Sequence, residues 1–200
     1  ALQVVPEDRS AMVFPFTHIG GIGWLHAGLM TGCRLIFVEA FVPATTIPVL
    51  QRKEVTLGGA GTPFHMAYLA AQRMQPGERL FPHCRVFPGG GAPKPPQLHY
   101  DVKAELGGVG IVAGWGLTEA PILTMAHVTD DDEELAMTEG RPIPGVELRV
   151  VTLDGRVAGV GEEGELRAKG PQLFRGYLDA SLDASAFDEH GFFRTGDLGK

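Results

Sequence analysis

Short apolar runs alternate with longer stretches of helical periodicity over the first two thirds of the chain. Apolar runs of this length, without polar alternation, are typical of strands that are covered on both faces. We therefore predict strands at residues 10–14, 34–38, 55–57, 85–87 and 110–113. Helices are predicted between them at residues 21–30, 45–53, 63–73 and 96–106.

This alternation of strand and helix predicts the fold class. Strands that are connected through helices pair in parallel, with helices on both faces of the sheet. Pro95 and Pro96 favour a first helical turn at the last predicted helix, and Gly107 with Gly108 favours its end. The prediction is an α/β fold with a doubly wound, mostly parallel sheet. Ligands bind such sheets beyond the carboxyl ends of the strands.

A different pattern follows the acidic run at residues 130–134, which we interpret as a solvated linker. Residues 146–151, 156–157 and 164–168 alternate with the two-residue period of antiparallel strands, and Asp154-Gly155 favours a hairpin turn. A short helix is predicted at residues 181–186. The predicted domains are an α/β subdomain over residues 1–137 and a small antiparallel, β-barrel-like subdomain over residues 138–200.

Composition narrows the class of protein. The 200 residues are 44% hydrophobic and 20% charged, so the chain can bury a substantial core. The formal charge of −7 argues against nucleic acid as a partner, since nucleic-acid binders carry basic patches. No apolar run reaches membrane-spanning length and no signal-peptide pattern is present. With two cysteines, Cys33 and Cys84, in no metal-ligand spacing, the expected location is the cytoplasm.

The segment that combines the most groups suited to binding a ligand has the sequence Gly-Trp-Gly-Leu-Thr-Glu, and it directly follows a predicted strand. It combines a flat aromatic ring, a main chain that a ligand can approach, a hydroxyl and a carboxylate, which together suit a nucleotide and a divalent cation. By itself the segment is ambiguous: the Trp is compatible with a buried core residue, and a Thr-Glu pair is more often a helix cap. Its residues are Gly114, Trp115, Gly116, Leu117, Thr118 and Glu119.

Three further segments make the interpretation of residues 114–119 more specific. They read Phe-Pro-Gly-Gly-Gly-Ala-Pro at residues 87–93, Gly-Glu-Leu through Arg-Gly-Tyr at residues 164–177, and Phe-Arg-Thr-Gly-Asp-Leu at residues 193–198. In this order the four segments resemble the acyl- and aryl-CoA synthetase branch of the adenylate-forming, AMP-binding enzymes. The resemblance covers nearly the whole chain. It implies activation of a carboxylic acid with ATP and Mg²⁺, followed by transfer of the acyl group to coenzyme A.

The resemblance also implies roles for single residues. Trp115 occupies a position where the family more often has Tyr, and would contact the nucleotide together with its neighbours of residues 114–117. Thr118 would hydrogen-bond the α-phosphate, Glu119 would bind Mg²⁺, and Asp197 would accept hydrogen bonds from both ribose hydroxyls. Asp197 is also compatible with a simple turn residue. The adenine would lie against Gly91, Ala92 and Pro93.

His18 matches a family His or aromatic residue near the carboxylate and the phosphates, and would count with Thr118 and Glu119 among the catalytic residues. A purely structural His18 is the alternative. Residues 20–24 and 58–62 would line the acyl pocket. Because these segments carry no charged side chain, the expected substrate is an apolar acid, fatty or alicyclic.

Several alternatives remain open at this point. A peptide-synthetase adenylation domain would need an Asp shortly after the first strand, where this chain has Phe-Thr-His-Ile at residues 16–19. A luciferase-like enzyme shares the first half-reaction. A fragment that binds AMP without catalysis is a third alternative, since the family's phosphate loop and C-terminal domain are expected outside these residues and the fragment alone is expected to be inactive. The oligomeric state is open, with a homodimer among the states allowed.

Overall fold

The computed structural model describes residues 1–59 and 61–200, which form two compact units. Unit 1 comprises residues 1–116 and 124–141, and unit 2 comprises residues 117–123 and 142–200. The functional division into residues 1–137 and 138–200 stays a prediction. Among the described residues, no helix is both long and apolar enough to cross a membrane.

Unit 1 contains the expected parallel sheet. Strand β1 (Arg9–Met12) pairs in parallel with β2 (Arg34–Phe37), and β3 (Phe87–Gly89) pairs in parallel with β4 (Ile111–Leu117). Parallel bridges from Ser10 to Leu57 and from Leu57 to Val86 join the two pairs. The predicted segments 55–57 and 85–87 thus take part in the sheet, the first as an isolated bridge.

Helices cover both faces of this sheet, as the α/β prediction requires. They are α1 (Ile19–Thr31), α2 (Pro43–Arg52), α3 (Thr62–Met74) and α4 (Pro96–Asp101), and a π-helical turn at Val102–Leu106 continues the last one. One hydrophobic cluster takes Leu50, Tyr68 and Leu98 from helices α2, α3 and α4. A second cluster packs on Val86 and Val112 from the opposite face of the sheet.

The interpretation of residues 130–134 as a linker is wrong. Asp131 caps helix α5 (Asp132–Met137), with its Oδ1 accepting a hydrogen bond of 2.8 Å from the Glu134 N–H. Acidic residues in a first helical turn interact favourably with the helix dipole, so this run is a helix start. Asp132 also accepts hydrogen bonds from Lys103 Nζ at 2.6 Å and 2.8 Å.

Strand β4 extends further than the sequence predicted. It was expected to end at Ala113 but runs through Leu117, because β5 (Ala120–Met125) lies alongside it. The main chain of Ala126 donates to the Ala113 carbonyl oxygen at 2.9 Å. Sheet order is β3-β4-β5-β6, where β6 is Arg141–Pro142. Only two residues join β4 to β5, so these strands are antiparallel.

Unit 2 is built on an antiparallel sheet in the order β7-β8-β9, formed by Glu147–Val151, Gly164–Lys169 and Phe193–Gly199. This open sheet corrects the barrel-like expectation: no closed barrel occurs in the part of the chain that the structure describes. Gly155, at φ +86°, makes the predicted hairpin turn, with Thr152 N–H donating to the Arg156 carbonyl oxygen. The predicted short helix is present as a 3₁₀ turn, Ala180–Leu182, followed by α6, Asp183–Ala186.

Candidate active site

The glycine turn after β3 depends on close approach of main chains. Gly90 has φ +148°, and a Cβ there would lie 2.7 Å from the Gly114 carbonyl oxygen. Gly91 has φ +73° and faces open space, since a Cβ there would meet no other atom within 4 Å. Residues 91–93 are exposed, and Thr62 Oγ1 donates to the Pro93 carbonyl oxygen at 3.1 Å. The turn therefore presents accessible main chain on a fixed support.

Trp115 lies on the adjacent strand β4 and is half-buried, so it is not the fully enclosed core residue that was the alternative interpretation of the sequence. The main-chain N–H of Trp115 donates to Thr124 Oγ1 at 3.2 Å, and the Thr124 hydroxyl donates to the Glu139 carbonyl oxygen at 2.6 Å. A Cβ at Gly114 would lie 2.7 Å from the Thr124 carbonyl oxygen. Glycine is therefore required beside Trp115 by the packing of β4 against β5.

Thr118 and Glu119 form the two-residue turn between β4 and β5, so the helix-cap alternative for this pair is wrong. Thr118 is exposed and Glu119 is half-buried. The Glu119 carbonyl oxygen accepts from the Phe174 N–H at 2.8 Å, and its Oε1 accepts from the Tyr177 hydroxyl at 2.9 Å. This hydrogen bond is the first cause of the raised pKa of Tyr177, ahead of desolvation. All four residues belong to unit 2.

Asp197 lies on β9 and is exposed. The register between β8 and β9 shifts at this point, and Gly196 has φ +75°. Thr195 Oγ1 accepts from the Asp197 N–H at 3.1 Å and donates to the Leu166 carbonyl oxygen at 2.6 Å. Asp197 therefore sits in a β-bulge that Thr195 ties to the neighbouring strand.

His18 is exposed and precedes helix α1 as its N-cap. Its Nδ1 accepts from the Gly20 N–H at 3.1 Å, and its ring meets that of Phe14 edge-on with centroids 5.9 Å apart. Because Nδ1 is the acceptor, a neutral His18 carries its proton on Nε2. The capping bond gives His18 a structural role and leaves an Nε2 donor on the opposite side of the ring.

The expected acyl-pocket segments are described in part. Residues 20–24 form the start of helix α1, and Gly58, Gly59 and Gly61 are buried. Ala60, in the same expected segment, lies outside the described residues. The Tyr68 hydroxyl donates to the Gly59 carbonyl oxygen at 3.2 Å, which fixes the main chain there.

The described residues contain no group of three or more His, Cys, Asp or Glu side chains arranged to hold a metal ion. A Mg²⁺ ion bound by Glu119 would therefore take its other ligands from water and phosphate. Mg²⁺ in nucleotide sites is usually bound in this way, through one or two carboxylates and several waters. The carboxylate of Glu119 keeps acceptor capacity beyond its bond to Tyr177, so it fits that ligand set.

The sequence located the segments of this site but missed one contact. The bond between Tyr177 and Glu119 joins residues 58 positions apart and has no local pattern that would reveal it. Tyr177 was visible only as the end of the Arg-Gly-Tyr segment. Within unit 1 the structure brings the glycine turn next to Gly114, and within unit 2 it brings Glu119 next to Tyr177.

A parallel α/β sheet with an exposed glycine turn beyond one of its strands defines a class of fold that binds ligands at that edge. The comparison with known proteins is more specific. Residues 1–178 match the family described as AMP-binding enzyme, and the chain belongs to that family.

Similar proteins include a 2-hydroxy-7-methoxy-5-methyl-1-naphthoate–CoA ligase of Streptomyces carzinostaticus, 33% identical over 98% of this chain and 34% of its own length. A medium-chain fatty-acid–CoA ligase of Escherichia coli is 28% identical, again over 98% of this chain and 34% of the ligase. The solved structure of O-succinylbenzoate coenzyme A synthetase from Bacillus subtilis, in complex with ATP and magnesium ion, has a TM-score of 0.82 at 25% identity and covers 98% of this chain and 40% of that one. The chain thus spans about a third of the length of these curated relatives.

Proposed function

We propose that this chain is the nucleotide-binding part of an ATP-dependent acid–CoA ligase. The observation that carries the proposal is membership of the AMP-binding family together with relatives that are acid–CoA ligases. The four segments, which contain every candidate site residue except His18, support it.

The proposed reaction has two steps. A carboxylate oxygen of the acid attacks the α-phosphorus of ATP and pyrophosphate leaves, which gives an acyl-adenylate. The thiol of coenzyme A then attacks the acyl carbonyl carbon, AMP leaves with the electron pair of the broken C–O bond, and the thiol proton is lost. Activation is needed because the carbon of a free carboxylate is electron-rich and has no leaving group. The protein contributes by orienting these groups and by stabilising charge on the phosphates.

Both side chains and main chain would bind and orient the nucleotide. The exposed main chain of Gly91, Ala92 and Pro93 would lie against adenine, and residues 114–117 would contact the nucleotide through Trp115 and the flanking glycines. Thr118 would donate to the α-phosphate. Glu119 would hold Mg²⁺, which neutralises phosphate charge when bound.

The remaining two assignments concern the sugar and the acid. Asp197 would accept from both ribose hydroxyls, for which its exposed carboxylate on a fixed bulge is suited. His18 would donate from Nε2 to the substrate carboxylate or to a phosphate, since Nδ1 is engaged by Gly20. Both are proposals of role, supported by exposure and by fixed geometry.

For the substrate we propose an apolar carboxylic acid, fatty or alicyclic. The lack of charged side chains at residues 20–24 and 58–62 supports this choice. One relative acts on a medium-chain fatty acid and another on an aromatic acid, so aryl acids belong in the same test. We further propose a cytoplasmic location, supported by two free, buried cysteines.

The decisive experiment is acid-dependent exchange of labelled pyrophosphate into ATP, measured with the protein as its gene encodes it and a panel of fatty, alicyclic and aryl acids. Addition of coenzyme A should then yield a thioester. Exchange without thioester formation would favour a luciferase-like or peptide-synthetase function, and ATP binding without exchange would favour a binding role alone. The 200 residues by themselves are expected to form no thioester, and detection of one would refute that part of the proposal.

A further inference from the structure

Glu119 stands on a turn of only two residues, and its side chain is held by one hydrogen bond to a distant residue. The Tyr177 hydroxyl donates to Glu119 Oε1 at 2.9 Å. Within residues 1–59 and 61–200, Glu119 forms no salt bridge. A hydroxyl is a neutral donor, so it orients the carboxylate without cancelling its negative charge. An Arg or Lys in the same place would compete with a cation for that charge.

The segment that carries Tyr177 is itself attached to the turn. Phe174 N–H donates to the Glu119 carbonyl oxygen at 2.8 Å, so main chain and side chain of Glu119 are both bound to residues 174–177. The ring of Phe174 meets that of Tyr177 edge-on, with centroids 4.8 Å apart. Holding one residue at two points restricts the rotation of its side chain more than either bond alone.

An aromatic cluster, formed by Phe174, Tyr177, Phe187 and Phe193, supports this segment. Phe174 stacks on Phe187 at 5.8 Å and meets Phe193 edge-on at 5.4 Å between ring centroids. Phe193 is the first residue of β9, the strand that also carries Asp197. The aromatic cluster therefore includes residues of the segment that holds Glu119 and of the strand that carries Asp197.

The main chain at Tyr177 is fixed from the other side. Asp183 Oδ1 accepts from the Tyr177 N–H at 2.9 Å. Gly176 has φ +142°, and a Cβ there would lie 2.5 Å from Asp183 Oδ2. Glycine before Tyr177 thus allows the carboxylate of Asp183 to reach the main chain.

We propose that Tyr177 is a positioning residue, whose hydroxyl holds the Glu119 carboxylate in the orientation that binds the Mg²⁺ of the nucleotide. The inference rests on the proposed function, since it assumes that Glu119 meets the metal–nucleotide complex. Tyr177 touches no reacting atom in this account. It acts only through Glu119, and the removal of its hydroxyl should therefore affect binding only when the metal is present.

The test compares Tyr177→Phe with the unsubstituted protein, as its gene encodes it, by isothermal titration calorimetry. ATP is titrated once with excess Mg²⁺ and once with EDTA. We expect Tyr177→Phe to weaken MgATP binding roughly 3- to 10-fold, because the substitution removes the orientation of the Glu119 carboxylate but not its charge, and to leave metal-free ATP binding unchanged. Tyr100→Phe, which removes the hydroxyl of an exposed tyrosine in unit 1, is the matched control and should change neither affinity.

A second comparison isolates the route through Glu119. In a Glu119→Gln background, Tyr177→Phe should cause no further loss of MgATP affinity, because the carboxylate that it orients is gone. Unchanged MgATP binding in Tyr177→Phe would overturn the inference, and so would equal losses with and without Mg²⁺, which indicate a merely structural role. If Glu119→Gln weakens MgATP binding but Tyr177→Phe does not, the inference alone fails. If the unsubstituted protein does not bind MgATP, the proposed function fails with it.

Discussion

The two compact units present their candidate ligand groups by different means. In unit 1 the main chain of the glycine turn is a candidate group beside the side chains of His18 and Trp115, and glycines at positive φ allow that turn to pass within contact distance of β4. In unit 2 the candidate groups are side chains, the hydroxyl of Thr118 and two carboxylates. The carboxylate of Glu119 accepts a hydrogen bond from Tyr177, and the main chain of Asp197 is held in its bulge by Thr195. Both large hydrophobic clusters lie in unit 1.

This difference predicts how a substitution should act in each unit. Main chain that passes within contact distance of a neighbouring strand is sensitive to an added Cβ, so changes at such positions of unit 1 should reduce stability first. An exposed or half-buried carboxylate contributes little to the core, so its replacement by an amide should reduce function and leave the fold intact.

The largest effect is expected for Glu119→Gln. The amide keeps an oxygen that accepts from Tyr177, but it has no charge for Mg²⁺, so pyrophosphate exchange should fall by at least about 100-fold. The melting temperature should change by less than about 2 °C. Near-normal exchange at saturating Mg²⁺ with an apolar acid would count against the metal-binding role, and a large drop in melting temperature would break the comparison between the units.

A second prediction concerns acid sensitivity in the core of unit 1. Burial lowers the pKa of His65 from 6.5 to about 4. Between these values the unfolded chain binds a proton that the folded chain does not, so the stability is present above pH 6.5 and is lost as the pH falls to 4. The loss due to His65 should reach about 3 kcal/mol.

Urea unfolding at pH 7 and pH 4 measures this loss. His65→Gln should lower stability at pH 7 but show a smaller decrease on acidification than the unsubstituted protein. The exposed His26 on helix α1 provides the control, since His26→Gln should keep the full decrease. An acid-induced loss that is the same in all three proteins would exclude His65 as its cause.

The smallest effects are expected for two neighbouring glycines. An alanine at Gly90 combines a disfavoured φ with a Cβ 2.7 Å from a carbonyl oxygen and should cost about 2 kcal/mol of unfolding free energy. At Gly91 the same change meets open space and should cost about 1 kcal/mol, from the left-handed backbone alone. Thermal unfolding of both variants tests the order, and a costlier change at Gly91 would contradict the importance of close main-chain approach.

Much of unit 1 follows from its sequence, since short apolar runs between helical patterns predict the parallel sheet. The end of β4 does not, because Gly114 and Gly116 interrupt the apolar pattern and the strand is continued by its partner β5. Helix α5 was predictable in principle from Asp131 as its cap and the acidic first turn. The acidic run was interpreted only as solvated charge.

The candidate site was predictable as segments and not as contacts. The order of four segments, and the family that they resemble, marked Trp115, Glu119 and Asp197 as candidates without any knowledge of the fold. The hydrogen bond between Tyr177 and Glu119 depends on how two distant segments of unit 2 pack, and no sequence periodicity predicts that packing. The bulge at Asp197 likewise depends on the register of β8 against β9.

The central proposal, that the carboxylates of unit 2 hold the nucleotide and its Mg²⁺, is tested most directly at Asp197. Binding of ATP and of 2′,3′-dideoxy-ATP is measured for the unsubstituted protein and for Asp197→Ala. If Asp197 accepts from both ribose hydroxyls, the substitution should weaken ATP binding roughly 30- to 1000-fold and affect the dideoxy analogue little. Equal losses for both nucleotides would contradict the claim and leave Asp197 as a structural residue of its bulge.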